Sequence, residues 1–555
     1  MKINKFITVG LCVGFCSNTA MAYEASEYRE LLNMTVKFYG AQRAGDTHNW
    51  LLKDNPAGKS CFENDGSGYK AGYDLSGGWM DAGDFIKFTQ TISYSAYALL
   101  KSFEVWPGSF EDNDDYSYSG TPNNIPDILD EVKVATDYLL KIMPDDTTLV
   151  SRVGGNQDHD YLHTCPAMAK LPVSQGGGAR PVYTDGKANI AGIAAAALAR
   201  MAVLYRPYSE SYADSALAQA KRLDVFGQAN LGTTSDQYYP EGACLNTDGT
   251  VGTWNSANWD ATGRCKTEWV SGQFRDAMMC GTAELYRATK ETAYLDRAKT
   301  MSSELGSHGW VIGWGESRDL CRHSLAAEGV TEAVDIWKVD VNSYISKVST
   351  KEFVKGLSYF MVWGSLNNAT SASFSSALLY EVTKDQKYQD FAFSQAHYVM
   401  GDNEYKRSFV VGWGVNPPEH PHHKNSFGSD GDKWGTFVNS TPNKYPLLGA
   451  LVGGPSDKAE DKTKAGYEDN ITDYIGNEVT IYYNSGLVGT LASARAYPDY
   501  IAPLLNNPRG ITKNPFRFGS LGNKSSDLNS KVLRIDGKSA GPSSNFLEFE
   551  PVLSK

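Results

Sequence analysis

Three stretches of the chain, 195–223, 278–305 and 375–401, repeat one helix–turn–helix pattern, and that repeat limits the folds open to it. Each ends its first helix on Leu-Tyr: Leu204-Tyr205, Leu285-Tyr286 and Leu379-Tyr380. A second Tyr follows at Tyr212, Tyr294 and Tyr388, and an Ala four positions later at Ala216, Ala298 and Ala392. Those are positions at which a helical hairpin buries its apolar stripes. Hairpins that cannot bury both faces alone must stack, either as an open solenoid or as a closed ring. The periodicity adds helices over 85–105, 125–143 and 477–497, with Pro126 at a first helical position. Residues 187–206 are Ala-rich and apolar almost all round, which marks an inner helix. Strand-like alternation is sparse. Long loops rich in Gly, Asn, Asp and Trp separate the helices, at 41–82, 106–124, 144–186, 228–271 and 402–476. Loops of that length in a compact protein usually carry function. Beyond about residue 505 the helical pattern gives way to a polar tail, 506–555.

A net charge of −12 leaves nothing to neutralise phosphates, so nucleic acid is not an expected partner. The N-terminus reads as an export signal. Lys2 and Lys5 precede an apolar run from Phe6 to Phe15, and Ala20-Met21-Ala22 supplies an A-x-A cleavage site. Residues 1–22 are therefore expected to be removed, and the protein to be secreted or periplasmic. That run is too short to span a bilayer and no other stretch reads as long enough, so no membrane partner is expected. Six cysteines remain after cleavage, with spacings that do not suit zinc, and disulfides fit an exported chain. Cys244 with Cys265 is the favoured loop pair. The 32 Tyr and 12 Trp are either stacking surface for sugar rings or simply a large core.

Three blocks carry chemistry. Gly77-Gly78-Trp79-Met80-Asp81-Ala82-Gly83-Asp84 sets two carboxylates three apart in a Gly-rich turn. Such a pair can hold a water and take its proton. The same residues also suit a calcium loop or an Asp cap on the following helix. Glu478, in the block 467–478, opens an apolar helical run, where the dipole alone stabilises a carboxylate. Set against Tyr474 or Tyr483 it would instead be desolvated and become a proton donor. The segment 408–424 holds Gly412-Trp413-Gly414 and a Pro-rich run with His420, His422 and His423. Its prolines keep it extended, and the H-x-x-x-H spacing of a metal helix is absent.

Together the three blocks resemble glycoside hydrolase family 9, the family of many endoglucanases. The first is similar to the family's GGW-x-DAGD block, 408–424 to its first active-site signature, and 467–485 to its second. Weaker matches lie between them at 125–131, Asp158-His159 and Trp363-Gly364-Ser365. The resemblance runs from about residue 25 to 505 and marks 23–505 as the catalytic domain. It implies an all-α (α/α)6 barrel whose long loops form a substrate cleft on one face. It also implies inverting hydrolysis of β-1,4-glucan, with Glu478 as general acid and Asp84, helped by Asp81, as general base. His422 and Asp469 would line the catalytic subsite. Trp79, Trp363, Trp413, Tyr483 and Lys424 would bind substrate. The implied partner is a β-glucan polysaccharide or oligosaccharide acted on by a monomer. No cofactor is needed for the chemistry, and family members often carry structural calcium, whose ligands the sequence does not place.

Two departures stand out: Lys424 and Ile471 occupy positions where the family signatures carry Arg. Lys keeps the charge without the planar fork, and Ile loses both. Two other readings therefore stay open here. One is an exo-acting hydrolase of cellodextrins or glucosamine oligomers, with a loop such as 106–124 or 228–271 closing one end. The other is a carbohydrate-binding protein on an inactive scaffold.

Overall fold

The computed structural model describes residues 23–45, 47–54, 60–160, 162–172, 178–234, 274–428, 441–457 and 465–497. The expected signal segment 1–22, the Cys244–Cys265 pair and the tail 506–555 lie outside the described residues. Twelve helices of ten residues or more appear among the described residues. They are α1 (Ala25–Ala41), α2 (Thr89–Val105), α3 (Asp127–Leu139), α4 (Ala188–Tyr205), α5 (Glu210–Ala229) and α6 (Phe274–Thr289). The second half of the chain adds α7 (Thr292–Leu305), α8 (Arg318–Ala327), α9 (Thr331–Ser346), α10 (Ser365–Thr383), α11 (Gln386–Met400) and α12 (Ile481–Ala496).

The even-numbered helices touch in the order α2, α4, α6, α8, α10, α12, and α12 returns to α2. That closes the ring, which the repeats alone left undecided. Each odd-numbered helix packs outside an inner one, α1 on α12, α3 on α2, and so on around to α11 on α10. The result is an (α/α)6 barrel. An inner helix has neighbours on nearly every side, so small residues fill its faces. In α4 the run Ala194 to Ala197 is fully buried. α10 buries Ser371, Ser373, Ser375 and Ser376, and α12 runs close past α10 at Gly486 and Gly489. α4 is long and apolar enough to cross a membrane, contrary to the sequence expectation, but it is a core helix with 89% of that span buried.

Sequence boundaries need correction at several helices: α6 and α10 run past their Leu-Tyr pairs to Thr289 and Thr383, and at three others loop contacts win over propensity. The stretch 85–105 begins as a strand, Lys87–Phe88, and becomes helical only at Thr89. That strand pairs antiparallel with Arg152–Val153, which pairs antiparallel with Val182–Tyr183. Pro126 caps α3 from outside instead of starting it. Residues 477–480 are extended, and α12 starts at Ile481 with the Thr480 hydroxyl accepting the Tyr483 N–H at 3.0 Å. Two disulfides are described, Cys61–Cys165 and Cys280–Cys321.

Inner-helix N-termini present N–H groups that water does not reach, and loops supply the oxygens. The Thr89 N–H donates to Ser151 O at 3.0 Å, and Ala188 N–H to Asn230 O at 3.0 Å. Leu366 N–H donates to Gly453 O at 3.0 Å, and Ile481 N–H to Asp81 O at 2.9 Å. The loops are thereby bound to one end of the inner ring.

Inner helices α4 and α6 approach closely, backbone to backbone, at Gly192 and Gly281. A Cβ at Gly192 would lie 2.4 Å from the Ala277 carbonyl carbon and 2.5 Å from Met278 N. In an exposed helix Gly→Ala stabilises by about 1 kcal/mol. Overpacking against backbone that cannot step aside costs about 1–3 kcal/mol or more. Gly192→Ala is therefore expected to lower the urea midpoint; an unchanged or higher midpoint would show that α4 and α6 are not so close.

Candidate active site

Three distant segments are joined here through their backbones. The Lys424 N–H donates to Gly83 O at 2.9 Å, and His422 N–H to Asn477 O at 2.8 Å, in a parallel bridge with Glu478. Asp81 is held on both sides, its N–H on Ile86 O and its carbonyl under Ile481. Gly83 has to be glycine, because a Cβ would fall 1.9 Å from His422 O. Gln42 braces the same corner. Its amide nitrogen donates to Ala82 O at 2.7 Å, and its oxygen accepts from His423 Nε2 at 2.7 Å. His423 Nδ1 accepts the Ser426 N–H at 3.0 Å, so this buried ring is neutral, with burial lowering its pKa to about 3.

Asp84 is buried. Its Oδ1 accepts the Ile86 N–H at 3.3 Å, whereas Oδ2 has no hydrogen-bond partner among the described residues. Burial raises its pKa, and the charges of His159 and Lys424 oppose the rise. Glu478 is half-buried and holds two donors on one oxygen. Trp363 Nε1 reaches Oε2 at 2.5 Å and the Tyr483 hydroxyl reaches the same Oε2 at 2.7 Å. Burial raises the Glu478 pKa, those two donors lower it, and the charge of Asp84 raises it again. Asp84 and Glu478 therefore belong to one electrostatic site. Both precede the N-termini of adjacent inner helices, α2 and α12, and Trp363 stands just before α10.

Gly364 makes the Trp363 contact possible. It sits at φ +61°, and a Cβ there would meet the Tyr483 hydroxyl at 2.6 Å. Trp363 is 41% exposed, with its ring 5.4 Å from that of Tyr474, so it offers a free aromatic face beside Glu478. Tyr483 is buried and acts here through its hydroxyl, not as a stacking surface. His422 donates from Nδ1 to Ile471 O at 2.6 Å. Burial lowers its pKa to about 4, leaving a neutral ring. Asp469 accepts the N–H groups of Glu419 and His420 at 2.8 and 3.1 Å, so it shapes the segment leading to His422.

Burial corrects three expectations for substrate contact. Trp79 is completely buried and donates from Nε1 to Glu131 at 3.0 Å. Trp413 is 7% exposed and packs near Tyr23 in the core. Lys424 is completely buried. Its Nζ donates to Asp158 O at 2.6 Å and lies 5.0 Å from the Phe85 ring centre, beneath Asp84. Of the three only Lys424 is bound to the turn that carries Asp84, through its backbone bond to Gly83. At the other departure, the Ile471 side chain is buried and its carbonyl is what holds His422. A guanidinium still stands near Asp469, that of Arg407 at 3.6 Å from Oδ2. His159 has a larger part than sequence reasoning gave it. Its charge acts on Asp84, His422 and Glu478, yet the only sequence signal was the pair Asp158-His159 in a long loop.

The cap reading of the first block does not hold. Asp84 caps no helix, since Phe88 precedes α2. Among the described residues no group of three or more His, Cys, Asp or Glu side chains could hold a metal ion. His420, His422 and His423 are turned to different partners, Asp469, Ile471 and Gln42.

The model of Glycosyl hydrolase family 9 matches residues 28–491 of this chain. Endoglucanase A of Bacillus pumilus is 30% identical over 504 residues, covering 86% of this chain and 67% of its own length. Two solved structures share the fold with TM-scores of 0.68. One is an endoglucanase from the termite Nasutitermes takasagoensis, 29% identical, covering 86% of this chain and 99% of its own. The other is a cellulase of C. cellulolyticum in complex with cellobiose, 27% identical, covering 85% of this chain and 98% of its own.

The raised carboxyls have a stability consequence. A carboxyl whose folded pKa lies above its unfolded value binds its proton more tightly when folded. Stability then falls as pH rises through the window between the two values. Asp84→Asn and Glu478→Gln remove that ionisation. Each variant is expected to melt above wild type at pH 7, with the gap closing as pH drops into the ordinary carboxyl range. A gap that widens on acidification would reverse the assigned direction.

Proposed function

The chain belongs to glycosyl hydrolase family 9, and from that premise we propose that it inverts and hydrolyses β-1,4-glucosidic bonds of cellulose or related β-glucans. The observation that carries this reading is the asymmetric dressing of two electrostatically linked carboxyls. Glu478 Oε2 is filled by the donors from Trp363 and Tyr483. Its proton is therefore left to Oε1, which protonates the glycosidic oxygen. Asp84 keeps Oδ2 uncommitted among the described residues, and that oxygen takes the proton of the attacking water. Inversion needs the water between the carboxyls, which such enzymes hold roughly 6.5–9.5 Å apart. Asp81, clamped by Ile86 and Ile481 through its backbone, fixes the turn that presents Asp84.

Trp363 serves twice in this reading. Its exposed face receives a sugar ring, and its N–H orients the acid. Neutral His422, with its proton on Nδ1, accepts a hydrogen bond from a sugar hydroxyl at Nε2. A β-glucan substrate is supported by the fold neighbour that holds cellobiose. Action outside the cell is supported by the leading segment 1–22 and agrees with the two disulfides.

The deciding experiment is NMR of the products released from a soluble β-glucan. New reducing ends that are first α, together with an early fall in viscosity, are expected. Ends that are first β would overturn inversion, and release of sugars without viscosity loss would favour the exo reading. Glu478→Gln and Asp84→Asn should each lower kcat by about 10²–10⁴-fold, and near-normal turnover in either would remove that residue from its role.

Tyr483→Phe tests the acid more finely. Glu478 must be protonated to act, so its pKa sets the alkaline limb of the kcat/KM profile. Loss of a donor to the carboxylate raises that pKa. The alkaline limb of Tyr483→Phe is expected at higher pH than in wild type; a downward shift would contradict the assignment.

A further inference from the structure

The family resemblance implies structural calcium, yet among the described residues no group of three or more His, Cys, Asp or Glu side chains could hold a metal ion. The corner where α6, α7 and α8 meet explains how such a place manages without one. α7 ends at Leu305 and exposes its last carbonyls, which need donors. Glu316 and Asp276 bring two buried carboxyls to the same corner. Carboxylates and backbone carbonyls together are the donor set of a hard divalent cation.

Here the Arg318 guanidinium holds one Glu316 oxygen and the two carbonyls. Nε donates to Glu316 Oε1 at 2.7 Å, and Nη1 reaches Leu305 O at 3.2 Å and Gly306 O at 3.4 Å. Its charge also acts on Asp276. Arg318 itself is nearly buried, as are Asp276 and Glu316. Asp276 Oδ2 accepts the N–H and hydroxyl of Ser317 at 2.7 and 2.9 Å, while its Oδ1 has no partner among the described residues. Burial and the Asp276 charge push Glu316 up to about 8, and Arg318 draws it back. Two carboxyls in one dry corner repel unless one keeps its proton or a cation stands with them.

We infer that Arg318 is a built-in cation occupying a calcium-type oxygen cage, so that this corner of the barrel folds without a divalent ion. Arg suits the task because its charge does not titrate and its fork spans a carboxylate and two carbonyls at once. The corner matters to the site because its loop reaches the base of α2. Trp314 O accepts Gln90 Nε2 at 2.6 Å in the first turn of α2, directly after the Asp84 loop.

The test compares wild type with Arg318→Ala, following thermal melts in EDTA and in millimolar calcium, and luminescence of added terbium as a calcium surrogate. In EDTA, Arg318→Ala is expected to melt several degrees below wild type. Calcium should restore most of that loss and leave wild type unmoved, and terbium should light up only in the variant. Equal responses of the two proteins to calcium, zero or otherwise, would overturn the inference, as would an unchanged melt for Arg318→Ala in EDTA. Should Arg318→Ala not fold, Arg318→Lys decides. A cation role predicts a folded Lys variant indifferent to calcium, and a Lys variant that fails to fold or needs calcium overturns it.

Discussion

The inner helices begin where water does not reach, and the first N–H groups of each must still be met. That demand organises the functional end of the barrel. A helix buried on all sides cannot turn its first turn to solvent, and an unmet buried donor costs about 1–3 kcal/mol. Loop carbonyls from distant parts of the chain meet the need at Thr89, Ala188, Leu366 and Ile481. The bond from Ile481 to Asp81 is the most consequential, because it ties the turn bearing Asp84 to the helix that follows Glu478. Two carboxyls nearly four hundred residues apart are thus brought to one place by backbone bonds.

Below that turn lies a dry ionic layer. Asp65 pairs with Lys87 and with Arg180, each at 2.7 Å, and Arg180 continues to Asp158 at 3.0 Å and to Phe85 O at 2.6 Å. Burial lowers the Lys87 pKa to about 8, against the pull of Asp65. Buried pairs of this kind add little net stability over a well-packed apolar core. Their geometry is directional, however, and a loop resting on a bidentate Arg has few other ways to sit. Lys424 joins the layer through Asp158 O, which explains why a lysine is sufficient there. The position asks for one donor and one charge, not for a fork reaching outward.

Much of this was legible in the residues. The hairpin repeats read correctly because small and apolar residues at helical spacing report burial directly. The carboxyls were harder to read, since the first and last blocks each suited a structural duty as well, and only the family resemblance singled out Asp84 and Glu478. The tryptophans were less legible. Trp79, Trp363 and Trp413 look alike in sequence, but one is wholly buried, one nearly so, and one lies open beside Glu478. Which face an aromatic ring shows depends on neighbours contributed by other helices.

Local pattern therefore determined the helices and their pairing into hairpins, since each depends on residues close along the chain. Closure of the ring, the start of α2 and α12 four residues later than periodicity suggests, and the burial of Lys424 were decided in three dimensions. So was the placement of both Glu478 donors on a single oxygen. Each of these follows from contacts between segments far apart in sequence, where the satisfaction of buried polar groups, not local propensity, selects the conformation.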